Sequence, residues 1–286
     1  MEFLELIKSV ILGVIEGVTE WLPVSSTGHM ILFDSFWPMD PAQYKGGKAF
    51  IDLFLVVIQL GAILAVLVLY RHKLNPFSRR KTQVQRRGTW SLWAKVIVGI
   101  IPAGIAGVLL DDFLFAHLYN GVVVSIALIV YGAAFILIEN RRRQPRLVTV
   151  DALDYKTVLL IGCFQALSII PGTSRSGSTI LGAILLGCGR AAAAEFSFFL
   201  AIPTMLGASL IKVVKYFKAY GFGFSGLEVA VLLIGMAVAF VVSVLAIKAL
   251  MKFVQKHDFK AFGWYRIVLG ALVLVLFFAG VLHVAA

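Results

Sequence analysis

The sequence predicts an all-α polytopic membrane protein, with six transmembrane helices and two broken re-entrant helix pairs in an inverted-topology repeat. Hydrophobic residues make up 60% of the 286 residues and charged residues only 14%, whereas about a quarter of the residues of soluble domains are charged. The apolar residues also form long blocks, and a helix needs roughly 20 such residues to cross a bilayer. Two of the blocks are interrupted near their middle, which indicates broken helices.

Six apolar segments predict the full spans. They lie at about 50–70, 91–110, 119–139, 193–217, 227–250 and 263–283. Two further segments, 3–36 and 155–188, contain Pro23 and Pro171, each followed by small and hydroxyl residues. Proline cannot continue a helix cleanly, and irregular backbone at membrane depth is tolerated only where protein or a watery cavity covers it. Each segment is long enough for two half-helices that enter the membrane and return.

The two halves of the chain resemble each other weakly, although a chance match is an alternative. The matched pairs are Gly13-Val-Ile-Glu16 with Gly162-Cys-Phe-Gln165, Leu22-Pro23 with Ile170-Pro171, and Leu60-Gly61-Ala62 with Leu206-Gly207-Ala208. We therefore predict one membrane domain, 1–286, built from repeats 1–140 and 141–286. Because each half has three spans, the halves have opposite orientations, and the two broken tips meet near the midplane.

The formal net charge of +11 is carried mainly by short segments between spans, at 71–87, 141–146 and 252–266. Such an excess of Lys and Arg marks the cytoplasmic side, so we expect no nucleic-acid partner. With these segments inside, Asp111 and Asp112 lie outside, as do both termini. Three lysines at 212, 215 and 218 fit this orientation poorly.

The first tip carries two carboxylates, Glu16 and Glu20, one helical turn apart and so on one face. Carboxylates at membrane depth need a cation, a proton or an arginine as partner. The alternative is that both side chains extend to the interface near Trp21.

Four polar side chains follow Pro23: Ser25, Ser26, Thr27 and His29. One hydroxyl can cap the next half-helix, but a cap does not explain the others, and Ser25 and Thr27 are candidate phosphate ligands. Ser26 and His29 are three residues apart, and a serine beside a histidine is a minimal nucleophile–base pair. Alternatively, His29 is the nucleophile and Ser26 only donates a hydrogen bond.

The second tip places Arg175 among Ser174, Ser176 and Thr179 at the start of a half-helix. Free backbone N–H groups favour an anion there, and a guanidinium binds phosphate oxygens through paired hydrogen bonds. The alternative is a structural salt bridge from Arg175 to Glu16 or Glu20. The neighbouring hydroxyls and glycines favour a phosphate site.

Two motifs identify a family resemblance. Glu16-Gly-Val-Thr-Glu20-Trp-Leu-Pro-Val-Ser-Ser-Thr-Gly-His29 and Pro171-Gly-Thr-Ser-Arg-Ser-Gly-Ser-Thr179 resemble those of the BacA-type undecaprenyl-diphosphate phosphatases. The resemblance covers essentially the whole chain in length, span order and both motifs. It implies an enzyme of the bacterial cytoplasmic membrane that hydrolyses undecaprenyl diphosphate to the monophosphate, recycles the carrier for cell-wall synthesis and lowers bacitracin sensitivity.

The same resemblance implies a role for each candidate residue. Glu16 and Glu20 would be metal-linked or acid–base carboxylates, with magnesium or calcium as the cation. Ser26 and His29 would supply the nucleophile and base. Arg175, with Ser174, Ser176 and Thr179, would hold the phosphate.

The main rival function is a polyprenyl-phosphate flippase or an anion transporter, because inverted repeats with broken helices are typical of transporters. Such a protein could use Arg175 but has little need of two carboxylates and a Ser/His pair. We further expect the lipid head group to reach the site from the extracytoplasmic side. A homodimer is left open.

Overall fold

The computed structural model describes residues 2–118, 120–141 and 144–282, without the side chains of 111–117. The predicted outer acidic pair, Asp111 and Asp112, and two arginines of a basic segment, Arg142 and Arg143, therefore lie outside the described side chains. The regular secondary structure of the described part is helical, without a β-strand.

In the described part of the chain, six helices are long and apolar enough to cross a membrane, and they match the six predicted spans. They are α3 (Lys48–Leu69), α5 (Gln83–Leu118), α6 (Gly121–Asn140), α9 (Arg190–Tyr220), α10 (Gly226–Val254) and α11 (Lys260–Phe278). A four-residue helix, α4 (Arg71–Leu74), follows α3. The predictions of an all-α polytopic fold and of six spans are confirmed.

Helix α5 begins before the apolar segment that predicted it. Thr82 and Gln85 exchange hydrogen bonds between side chain and backbone, at 3.0 and 3.3 Å. This reciprocal arrangement is a capping box, and it starts the helix within the basic segment 71–87.

The two interrupted segments each form two short helices. In the first segment, α1 (Glu2–Thr19) is followed by α2 (Ser26–Phe36). In the second, α7 (Tyr155–Ala166) and a 3₁₀ turn at Leu167–Ile169 precede α8 (Arg175–Leu185). The breaks lie at 20–25 and 170–174, where the proline and hydroxyl motifs predicted them.

Both breaks end in the same strained backbone conformation. Ser25 and Ser174 have φ angles of 74° and 70° and are the described non-glycine residues with positive φ. Each serine side chain accepts a hydrogen bond from a glycine N–H three residues later, Gly28 for Ser25 and Gly177 for Ser174. Such conformations are costly and cluster at functional sites.

Glycines allow the half-helices to pack closely against the long helices. A Cβ on Gly13 would lie 2.8 Å from the Gly235 carbonyl oxygen of α10, and one on Gly17 would lie 2.7 Å from Cβ of Val242. A Cβ on Gly162 of α7 would lie even closer to the Gly99 carbonyl oxygen of α5. Small residues at such interfaces let helix backbones approach, so both half-helices are held firmly.

The helix contacts come in matched pairs between the two halves. Helix α1 packs along α10 and α7 along α5, while α3 contacts α9 and α6 contacts α11. Exchanging the two halves exchanges the first two of these contacts and leaves the last two in place, whereas the extensive contact of α3 with α10 has only a small counterpart between α9 and α5. The division into repeats 1–140 and 141–286 stays a prediction, and the matched contacts are what two such repeats would produce.

One position within the predicted basic segments is different from expectation. Arg266 was expected in the cytoplasmic segment 252–266, but it lies in the second turn of α11 and its exposed fraction is 0%. Its guanidinium donates to backbone carbonyl oxygens of both broken loops. An arginine near the end of a predicted span usually marks the cytoplasmic side of the membrane. Here long-range packing buries the Arg266 side chain instead.

Candidate active site

The two broken loops contact each other directly. The Arg175 Nη2 atom lies 2.8 Å from Oε1 of Glu20, and the Ser176 hydroxyl donates to the Leu22 carbonyl oxygen at 3.2 Å. The prediction that the two tips meet is therefore confirmed. The contact joins candidate residues that are 155 positions apart in the chain.

Glu20 lies at the centre of this contact. The residue is 7% exposed, and its second carboxylate oxygen accepts a hydrogen bond from the Ser26 hydroxyl at 3.1 Å. One carboxylate thus joins the serine of the first motif to the arginine of the second. The salt bridge that was an alternative interpretation of Arg175 is present, and it is formed with Glu20.

Arg175 also contacts helix α9. Its Nη1 donates to the carbonyl oxygen of Ser197 at 2.7 Å and contacts the Ser197 hydroxyl at 3.2 Å. The guanidinium also lies 5.6 Å from the ring centre of Trp21. Its Nε is buried without a hydrogen-bond partner among the described residues.

The hydroxyls of the second motif differ in their positions. Ser174 caps α8 and lies 3.2 Å from the Ser176 hydroxyl. Thr179 is fully buried and its hydroxyl contacts that of Ser197 at 2.5 Å. In this arrangement Thr179 supports the residue that orients Arg175, while Ser174 and Ser176 lie at the tip itself.

Glu16 lies one turn before Glu20 and is 1% exposed. Its Oε1 atom is buried without a hydrogen-bond partner. A buried, unpartnered carboxylate oxygen fits a cation as ligand. Among the described residues, no group of three or more His, Cys, Asp and Glu side chains could hold a metal ion. A cation at Glu16 and Glu20 would therefore need oxygen ligands from elsewhere, and magnesium commonly takes one or two carboxylates plus substrate phosphates.

Ser26 and His29 have different partners. His29 Nδ1 contacts the carbonyl oxygen of Ser25 at 2.7 Å, and its Nε2 contacts the Tyr265 hydroxyl at 2.6 Å. The imidazole and phenol rings are nearly parallel, with centres 5.7 Å apart. Both nitrogens of His29 are thus engaged away from Ser26, whose hydroxyl donates to Glu20.

The remaining candidates of the first motif lie on the same turn. Ser25 is buried as the cap of α2, and Thr27 is half-buried beside Ser26. Next to His29, a cavity of about 420 Å³ is lined by apolar side chains of α1, α2 and the residue that follows α2. Its lining residues are Ile15, His29, Leu32, Phe33, Phe36 and Trp37.

Three contributors to the site were missed from the sequence: Ser197, Tyr265 and Arg266. Ser197 is one of several separate hydroxyl residues in the apolar helix α9, and Tyr265 and Arg266 lie at the start of α11. None belongs to a motif, and each reaches the tips only through helix packing.

Chemically, the arrangement offers a phosphate-sized anion a guanidinium and the N-termini of two half-helices. It also offers a hydroxyl hydrogen-bonded to a buried carboxylate, which is the arrangement of an activated nucleophile. These elements suit phosphoryl transfer, where charge spreads over the equatorial oxygens and catalysis depends on positioning and electrostatics.

The comparisons with known proteins agree on one family. Residues 9–272 match the family model described as bacitracin resistance protein BacA. An undecaprenyl-diphosphatase of Limosilactobacillus fermentum is 56% identical over 96% of this chain and 98% of its own length. Similar proteins with the same name from Lactiplantibacillus plantarum and Enterococcus faecalis are 56% and 54% identical, over 95% and 96% of this chain and 97% and 98% of their own lengths.

Proposed function

This chain belongs to the BacA family of bacitracin resistance proteins, and from that premise we propose the reaction its site performs. It is a multi-pass membrane phosphatase that hydrolyses undecaprenyl diphosphate to the monophosphate and inorganic phosphate. The observation that carries the proposal is the contact of Ser26, Glu20 and Arg175 where the two broken loops meet. The product is the lipid carrier that cell-wall synthesis uses again.

In the first step, Ser26 Oγ attacks the terminal phosphorus while Glu20 accepts its proton. The bond between the terminal phosphorus and the bridging oxygen breaks, and undecaprenyl monophosphate leaves. Water then attacks the phosphorus of the phosphoserine, and the bond between phosphorus and Ser26 Oγ breaks. Glu20 returns its proton to Ser26 Oγ, and the oxygen and both protons of the water leave with the inorganic phosphate. Ser26 is favoured over His29 as nucleophile because its hydroxyl already donates to a carboxylate, whereas both nitrogens of His29 have other partners.

Arg175 and the serines of the second tip bind the terminal phosphate. Guanidinium and phosphate oxygens form short, charge-assisted hydrogen bonds. Binding the substrate would draw Arg175 from Glu20 toward the phosphate and free the carboxylate to accept the proton. His29, held by Tyr265 at the edge of the site, orients the head group.

Glu16 and Glu20 would hold a divalent cation, magnesium or calcium, as the free Oε1 of Glu16 supports. When bound, such an ion offsets the charge of the phosphate oxygens and stabilises the transition state. Chelation is therefore expected to abolish activity without unfolding the protein.

The apolar cavity beside His29 supports a route for the lipid. A prenyl chain can stay against apolar side chains of α1 and α2 while the diphosphate reaches the tips. The first broken pair is the one predicted to enter from outside, so we propose access from the extracytoplasmic leaflet of the bacterial cytoplasmic membrane.

Proteoliposomes separate this function from that of a flippase or an anion transporter. Undecaprenyl diphosphate is supplied on the outside, and released phosphate and lipid translocation are measured with magnesium, calcium or EDTA. Phosphate release that EDTA stops, without translocation, supports the phosphatase. Translocation without phosphate release, by folded protein with either metal, would overturn it.

A further inference from the structure

The Arg266 side chain links the two broken loops through hydrogen bonds to their backbones. Its Nη1 donates to the Pro23 carbonyl oxygen at 3.2 Å, and its Nη2 donates to those of Gly172 and Thr173, both at 2.9 Å. One acceptor belongs to the first loop and two to the second. A single side chain of α11 therefore fixes the backbone of both tips.

The charge of Arg266 is buried without a carboxylate. The residue is 0% exposed, and none of the ion pairs in the described part of the chain includes it. Its guanidinium lies 5.4 Å from the ring centre of Tyr131, and its Nε has no hydrogen-bond partner. Burying a charge without a counter-ion costs free energy. A residue that only linked the two loops would not need to carry that charge.

The three carbonyl groups that accept from Arg266 lie close to the start of the half-helices α2 and α8. The carbonyl groups of Pro23, Gly172 and Thr173 lie one or two residues before the caps Ser25 and Ser174. These hydrogen bonds restrain the backbone that leads into the positive-φ caps Ser25 and Ser174. The caps in turn precede Ser26 and Arg175, which meet at Glu20.

We propose that Arg266 is a positioning residue for phosphoryl transfer, which sets the two tips in register so that Ser26 and Arg175 converge on one phosphate. Its uncompensated charge also adds positive potential beneath the anionic head group. This inference rests on the proposed function, because it concerns the same site.

Two substitutions separate the geometry from the charge. Arg266→Met removes both, and Arg266→Lys keeps the charge but loses the planar fork that reaches both loops. A displacement of about 1 Å can cost ~100-fold in rate, so we expect kcat to fall by about that factor in Arg266→Met, with a raised KM. Arg266→Lys should recover a KM near that of the wild type and only part of kcat.

The control is Val273→Ala, a buried position two turns further along the same helix. It should lower the melting temperature and leave kcat per folded molecule unchanged. The folded fraction of every variant is measured by size-exclusion chromatography in detergent. If Arg266→Met does not fold, Arg266→Lys alone decides, through the split between kcat and KM.

The inference is overturned if folded Arg266→Met or Arg266→Lys keeps kcat and KM within about threefold of the wild type. It is also overturned if activity falls only in proportion to the folded fraction, as for Val273→Ala. Failure of the proposed function looks different, because the wild type itself would then release no phosphate in the same assay.

Discussion

At the scale of single residues, we propose that Ser26 is the nucleophile and that His29 has a supporting role. Ser26→Ala should reduce kcat by at least about 100-fold, because it removes the attacking oxygen. His29→Ala should reduce it less and raise KM, since His29 contacts Tyr265 rather than Ser26. Phosphate release from undecaprenyl diphosphate by purified protein in detergent gives both constants.

Ser35→Ala is the matched control, because Ser35 lies on the same half-helix and, within the described part of the chain, its hydroxyl bonds only to the Ile31 carbonyl oxygen. It should keep wild-type kinetics. A larger loss of kcat in His29→Ala than in Ser26→Ala would contradict the assignment and favour a phosphohistidine.

At the scale of helices, the glycine contacts explain how the half-helices are held in place. Gly17→Ala should destabilise the protein by about 1–3 kcal/mol, the usual cost of overpacking, because the added Cβ would lie 2.7 Å from that of Val242. Gly104→Ala on α5 is the control, since among the described residues no atom outside the adjacent helix backbone lies within 4 Å of the added Cβ. The melting temperature in detergent should fall for Gly17→Ala alone. Equal melting temperatures of the two variants would contradict close packing of α1 on α10.

A second prediction at this scale concerns the hydrogen bonds of Glu139, which connect the ends of several helices. Glu139 accepts hydrogen bonds from Arg190 and from the Phe259 N–H, at distances between 2.6 and 3.2 Å. It thereby joins the ends of α6 and α10–α11 to the start of α9. Glu139→Gln should lower the melting temperature but not kcat per folded molecule. An equal melting temperature, or a changed kcat in folded protein, would count against this role.

At the scale of the whole molecule, the sequence predicted the spans and the breaks because hydropathy and proline act locally. The meeting of the two tips also followed from the predicted inverted repeat, but the salt bridge from Arg175 to Glu20 was only the alternative interpretation. The role of Arg266 did not follow, because a cation near a span end looks the same whether it marks topology or is buried. Ser197 and Tyr265 were missed for a related reason: each is a single polar group that packing alone brings to the tips.

The orientation of the molecule is a prediction at the same scale. The exposed Cys163 is first replaced by alanine so that it does not react. In that background, the cysteine of Arg79→Cys should react with a membrane-impermeant maleimide only from the cytoplasmic side. A cysteine at Phe222, which is 88% exposed, should react only from outside. Labelling in intact cells and in inverted vesicles checks both, and reaction of both from the same side would contradict the inverted repeat.

We propose that the two loops form one phosphatase site around Glu20. The most direct measurement is phosphate release from undecaprenyl diphosphate by purified wild type, Glu20→Gln and Arg175→Ala, each confirmed as folded and assayed with magnesium. We predict release by the wild type and a loss of about 100-fold or more in both variants, the scale expected for removing a general base or an electrostatic contact. Wild-type rates in either folded variant, or no release by folded wild type with magnesium or calcium, would contradict it.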